Sequence, residues 1–86
     1  DTALLLPPFS KDEAKAALQK LKIAPLFAGV RGEPPMDVEA LCDAVMRIGD
    51  LMLDPTAKVV SLDLNPVLLD SAGKGCVVVD AVVFQR

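Results

Sequence analysis

The chain contains no histidine, no tryptophan and no tyrosine. Without an imidazole it supplies no Ser-His-Asp triad, no histidine zinc site and no phosphohistidine relay of its own. Its two cysteines, Cys42 and Cys76, lie too far apart in sequence for a C-x-x-C metal or redox motif. Reduced, buried thiols in a cytoplasmic protein are the plainer expectation. Basic residues are also short: 9 Lys and Arg stand against 12 Asp and Glu, a formal net charge of -3. Such a balance argues against a nucleic-acid partner, whose binders carry a basic face. No segment approaches the ~20 apolar residues of a membrane span. The opening residues Asp1–Leu6 lack the basic start and the length of a signal peptide.

What is present is apolar. Of 86 residues, 52% are hydrophobic and 24% charged, which excludes a disordered chain. The length allows a single domain and a modest core, since a chain of this size buries roughly 60% of its unfolded surface. The sequence does not begin with Met, and an acidic residue leads straight into the apolar run Thr2–Leu6. That start reads as a cut inside a longer polypeptide. It predicts exposed apolar groups around Leu4, Leu5, Leu6 and Phe27, and leaves a homo-oligomer open.

Thr2–Leu6, stopped by Pro7 and Pro8, reads as a strand, buried on both faces or at a domain junction. Ser10 and Glu13 have the spacing of a capping box. Behind them Ala14, Ala17, Leu18 and Leu21 recur at helical spacing, which predicts a helix over 11–22. Three prolines and two glycines in 23–35 forbid a regular element there. Asp37 caps a second helix whose apolar stripe is Val38, Leu41, Val45, Ile48 and Met52; Asp54-Pro55 ends it. The last third is β. Val60, Leu62 and Leu64 alternate with Val59, Ser61, Asp63 and Asn65. Val67–Asp70 continues, Ser71–Gly75 supplies turn residues, and Cys76–Phe84 is a β-branched run broken by Asp80. The order is β-α-α-β-β, an α+β fold with two helices on a small, largely antiparallel sheet.

Asp80 spoils an otherwise apolar strand. A buried carboxylate must be neutralised, paired or bound to a cation. If Ser71–Lys74 is the loop, opposed residues have numbers that sum to 145, and Asn65 faces Asp80. Asp63 lies two residues back on the same face. Two carboxylates and a carboxamide, with no imidazole or thiolate, suit a hard cation such as Mg²⁺. Equally, Asn-Pro is a common turn dipeptide, and Asp63 and Asp80 at strand ends would simply face solvent. Gly29-Val30-Arg31-Gly32 is a second candidate. Its glycines let a ligand approach the backbone, and Arg31 offers a planar fork to phosphate or carboxylate. A structural loop in which Arg31 pairs a neighbouring acid is the alternative.

Three strings together carry a resemblance: Leu26–Asp37 (LFAGVRGEPPMD), Ser61–Leu69 (SLDLNPVLL) and Val78–Ala81 (VVDA). In this order and spacing they resemble the C-terminal part of the ATP-grasp domain of nucleoside-diphosphate-forming acyl-CoA synthetases, such as ADP-forming acetyl-CoA synthetase. The synthetase-like region of bacterial protein lysine acetyltransferases is similar, and so, more distantly, is the succinyl-CoA synthetase beta subunit. The resemblance implies that Asn65 and Asp80 hold Mg²⁺ on nucleotide phosphates. Asp63 would stand at the acidic position of an E-x-N-like pattern, with Asp where many such enzymes have Glu. Arg31 would contact phosphate or a domain interface. The implied partners are nucleotide phosphates and a CoA-binding domain or subunit, and the implied reaction is acid, CoA and nucleoside triphosphate going reversibly to acyl-CoA, diphosphate and phosphate. The nucleotide hinge, lid and phosphorylated His would lie elsewhere, so the chain alone would be inactive. The alternative is a non-catalytic sensor or docking module of a synthetase-like acetyltransferase.

Overall fold

A computed structural model describes residues 2–86. Helix α1 spans Lys11–Gln19 and helix α2 spans Val38–Leu53. Strands β1 (Val59–Leu64), β2 (Val67–Leu69), β3 (Cys76–Val78) and β4 (Ala81–Gln85) follow. The capping box at α1 is complete: the Glu13 N–H donates to Ser10 Oγ at 3.0 Å and the Ser10 N–H to Glu13 Oε1 at 3.3 Å. Helix α1 ends three residues earlier than its periodicity predicts. From Lys20 onward the backbone tightens into i→i−3 bonds, with Lys20 N–H to Ala17 O at 3.2 Å and Leu21 N–H to Leu18 O at 3.2 Å.

The Pro- and Gly-rich stretch is not wholly irregular. Ala24–Ala28 forms a 3₁₀ helix with proline in its first turn. Proline is tolerated there because the first N–H groups of a helix need no intrahelical acceptor. Its Phe27 is buried, against the expectation of an exposed ring. Gly29 follows at φ 96°, and a Cβ there would collide with the Glu33 carbonyl oxygen. This is one position where only glycine fits.

The two helices pack on each other. Between them lie Ala14 and Cys42, both fully buried. Phe9 lies against α2 at Gly49, where a Cβ would come within 2.8 Å of the ring. Outside this seam, Lys11 Nζ reaches Glu39 Oε2 at 2.7 Å and Asp43 Oδ1 at 3.0 Å, and Lys15 Nζ reaches Glu39 Oε1 at 3.0 Å. Hydrogen bonds from Lys11 and Lys15 hold the Glu39 carboxyl down to about 2, and the Lys11 ammonium is pushed up in return.

Thr2–Leu6 is not a strand. Both ladders lie within residues 59–85, so among the described residues the segment has no strand to bond. Leu4 and Leu6 are 82% and 74% exposed, so the segment is not buried on both faces, and the expectation of exposed apolar groups there holds for these two.

The β elements form one long antiparallel hairpin in two ladders, β1 with β4 and β2 with β3. From Ser61↔Phe84 to Leu69↔Cys76 every paired position sums to 145, the predicted register. Near the base a bulge shifts it, and Val59 pairs Gln85. That shift buries Val59 and exposes Val60, the reverse of the predicted alternation. Alternation slips again at Asn65-Pro66: Leu62 and Leu64 are half-buried before it, and Val67 and Leu69 after it. Pro66 has no N–H for a ladder, so the strand breaks there.

Much of the hairpin is open. Leu68 and Val77 are 56% and 61% exposed, and Val79, Val82, Val83 and Phe84 are exposed as well. Asp80 is exposed with them. The burial argument for its charge therefore fails, because among the described residues no layer covers that part of the hairpin.

Candidate metal and phosphate site

The ladder break brings Asn65 and Asp80 opposite each other. The Asn65 N–H donates to the Asp80 carbonyl at 3.2 Å, and the Val79 N–H donates to the Pro66 carbonyl at 3.0 Å on the other side of the step. Asp80 Oδ1 accepts the Ala81 N–H at 2.9 Å. Its second oxygen and the Asn65 carboxamide have no protein partner among the described residues. Asp63 pairs Val82 one step further along β1, and is exposed.

These three residues offer only hard oxygen donors, the type that Mg²⁺ and Ca²⁺ take. Two carboxylates and a carboxamide leave room for waters or phosphate oxygens. Among the described residues no group of three or more His, Cys, Asp and Glu side chains could hold a metal ion. By its donor chemistry the set would suit a cation shared with a ligand rather than one caged by protein. A cleft of about 530 Å³ between α2 and the hairpin is lined by Arg47, Leu64 and Cys76, not by Asp63, Asn65 or Asp80.

Among the described residues no hydrogen bond or ion pair joins Arg31 to this pair. It sits exposed at φ 54° in the loop after the 3₁₀ helix, where the Glu33 N–H closes a turn onto the Val30 carbonyl at 3.0 Å. Among the described residues it makes no ion pair, which disfavours the structural pairing with an acid. The loop is tied to the turn end of the hairpin: Met36 N–H bonds the Phe27 carbonyl, and Ala72 N–H bonds the Pro35 carbonyl, each at 2.8 Å.

Sequence reasoning placed Asp37 only as a helix cap. It is 8% exposed and does more. Oδ1 accepts the Ala40 N–H at 3.0 Å, and Oδ2 accepts the Gly75 N–H at 2.7 Å across the chain. These backbone donors hold its carboxyl below the usual carboxylate range, Ala40 foremost. The Asp-x-x pattern before an apolar run signals the cap; nothing local signals a bond to a turn 38 residues away.

A family model described as an ATP-grasp domain matches residues 1–84. The beta subunit of ADP-forming acetate–CoA ligase II from Pyrococcus furiosus is 36% identical over 86 residues, 100% of this chain and 36% of that protein. The ADP-forming 4-hydroxybutyrate–CoA ligase of Nitrosopumilus maritimus is 36% identical over 80 residues, 93% of this chain and 11% of the ligase. A solved structure of dinucleotide-forming acetyl-coenzyme A synthetase 1 from Ca. Korarchaeum cryptofilum, in complex with coenzyme A and Mg-AMPPCP, superposes with a TM-score of 0.84 at 33% identity. The match covers 98% of this chain and 38% of that one. The chain thus spans about a third or less of the relatives it matches.

Proposed function

The chain belongs to the ATP-grasp domain family, and from that premise we propose that it is a segment of a longer ADP-forming acyl-CoA ligase and supplies the metal- and phosphate-binding end of its nucleotide site. The parent reaction would join an acid to CoA at the expense of a nucleoside triphosphate, giving acyl-CoA, diphosphate and phosphate, reversibly. The observation that carries this is the opposition of Asn65 and Asp80, each with a free oxygen, in a family member whose relatives are ADP-forming ligases. A fold neighbour solved with Mg-AMPPCP supports a magnesium nucleotide as the ligand.

In this role Asp80 Oδ2 and the Asn65 carboxamide oxygen would hold Mg²⁺, with Asp63 as a lesser, adjacent carboxylate. When bound, the ion would neutralise phosphate oxygens for in-line transfer. The protein's own part is positional. The Ala81 N–H fixes one Asp80 oxygen and so aims the other. The antiparallel backbone fixes Asn65 opposite it. Arg31, unpaired in its loop, would meet a phosphate or the neighbouring domain. A CoA-binding domain or subunit completes the enzyme.

The test is thioester formation by the full-length gene product from acid, CoA, ATP and Mg²⁺. Asp80→Asn should lower it by about a hundredfold or more, and Asn65→Ala less, since a neutral ligand is removed. Asp50→Asn, on an exposed face of α2, should leave it intact. Full activity in Asp80→Asn would overturn the assignment.

A further inference from the structure

The hairpin that carries Asn65 and Asp80 has few visible supports along its length. Leu68 and Val77, between the pair and the turn, are largely exposed. Its ends are tied. At the base, Gln85 Nε2 donates to the Ala57 carbonyl at 2.8 Å and the Arg86 N–H to the Lys58 carbonyl at 3.0 Å. At the turn, the Asp37 N–H donates to the Asp70 carbonyl at 2.8 Å, and the Ala72 N–H to the Pro35 carbonyl at 2.8 Å. A bridge also pairs Met36 with Ser71.

One side chain joins these ties to the helices. The two Asp37 oxygens are divided between the first turn of α2, at Ala40, and the hairpin turn, at Gly75. Asp37 is also the buried acidic residue of the chain's described part, so both bonds are partly shielded from competing water. Gly75, at φ 90°, presents its N–H to that carboxylate. The ladder runs in unbroken register from Leu69↔Cys76, beside the turn, to the Asn65–Asp80 step. Five residues at ~3.3 Å each place the pair roughly 17 Å from the clamp.

We propose that Asp37 is a positioning residue for the Asn65–Asp80 site: by bonding the start of α2 and the hairpin turn with one carboxylate, it fixes the angle at which the hairpin presents its oxygens. The role rests on the cation site proposed above. It differs from helix capping, which needs only one oxygen. Asp37→Ser separates the two, because a serine hydroxyl caps the Ala40 N–H but is too short to hold Gly75 as well.

The experiment uses the ¹⁵N-labelled full-length gene product, wild type and Asp37→Ser, titrated with Mn²⁺ in the presence of ADP. Amide exchange is measured in parallel. In the wild type, Mn²⁺ should broaden the amides around Asn65 and Asp80. In Asp37→Ser the Ala40 amide should stay protected while Gly75 exchanges at least about tenfold faster, as one charge-assisted bond is lost. Mn²⁺ should then bind about three- to tenfold more weakly at the pair. Asp37→Asn, whose carboxamide has one acceptor oxygen and an NH₂ that cannot accept the second N–H, should also lose one of the two bonds and bind Mn²⁺ more weakly. Wild-type binding with an unchanged Mn²⁺ affinity in Asp37→Ser would overturn the positioning role and leave the site standing. A wild type that Mn²⁺ does not broaden at Asn65 and Asp80 would overturn the site, and the positioning role with it. Loss of Ala40 protection in Asp37→Ser, with Mn²⁺ binding restored by no variant, would reduce Asp37 to a cap and also overturn the proposal.

Discussion

Residues 9–53 and residues 59–85 handle apolar side chains in opposite ways. In the first stretch, small residues let two helices and an aromatic ring close together: Ala14 and Cys42 fill the seam, and Gly49 admits Phe9. Each helix is capped by its own side chains, and an ion-pair cluster covers the outside. The hairpin is richer in valine and leucine yet leaves most of them open. Its order comes from backbone ladders and from ties at its two ends. The difference teaches that apolar content does not by itself locate a core. A strand run such as Val77-Val78-Val79 buries only what another layer covers.

The contrast breaks most visibly at matched substitutions. Gly49→Leu must displace the Phe9 ring and should destabilise the chain by about 1–3 kcal/mol, read as the midpoint of denaturant unfolding. Leu68→Thr on the open hairpin should shift that midpoint by no more than about 0.5 kcal/mol. Equal losses would mean that the outer hairpin face is covered in solution.

A smaller effect is expected at the α1 cap. Ser10→Ala removes the hydroxyl that accepts the Glu13 N–H, leaving the residue-10 N–H on the Glu13 carboxylate, and should cost about 1 kcal/mol in thermal melting. A neutral result would show that packing alone holds α1.

The smallest effect belongs to the ion pairs. The Glu39 carboxyl is lowered from its ordinary 4.5 to about 2 by Lys11 and Lys15. A depressed folded value means that its contribution is present above pH 4.5 and fades as pH falls toward 2. The pairs are exposed, so the contribution is slight and screened by salt. Melting of wild type and Glu39→Gln should differ a little at pH 7 and converge in acid or in ~1 M salt. A difference that persists at pH 2 would assign Glu39 another role.

Local signals explain what was legible in the sequence. Ser10 with Glu13, Asp37 before an apolar stripe, and Asp54-Pro55 each act within one turn of backbone, so they fixed the helices. The turn Ser71–Gly75 set the register, and with it the opposition of Asn65 and Asp80. Three features were not legible because they depend on distant partners. Thr2–Leu6 has strand chemistry but no strand beside it among the described residues. The bulge that swaps Val59 for Val60 answers to pairing with β4, not to its own sequence. Asp37 reaches Gly75 only because the chain folds back. Asp80 was singled out for a charge in a buried strand, yet the strand is open; what distinguishes it is the residue across the ladder.

The central claim is that Asn65 and Asp80 share one hard cation. Anomalous diffraction from crystals of the full-length gene product soaked with Mn²⁺ and ADP tests it most directly. The account predicts one anomalous peak within metal–ligand distance of Asp80 Oδ2 and the Asn65 carboxamide oxygen, with phosphate oxygens completing the shell. A peak confined to other acidic residues, or Asn65 and Asp80 side chains on opposite faces of the hairpin, would contradict it.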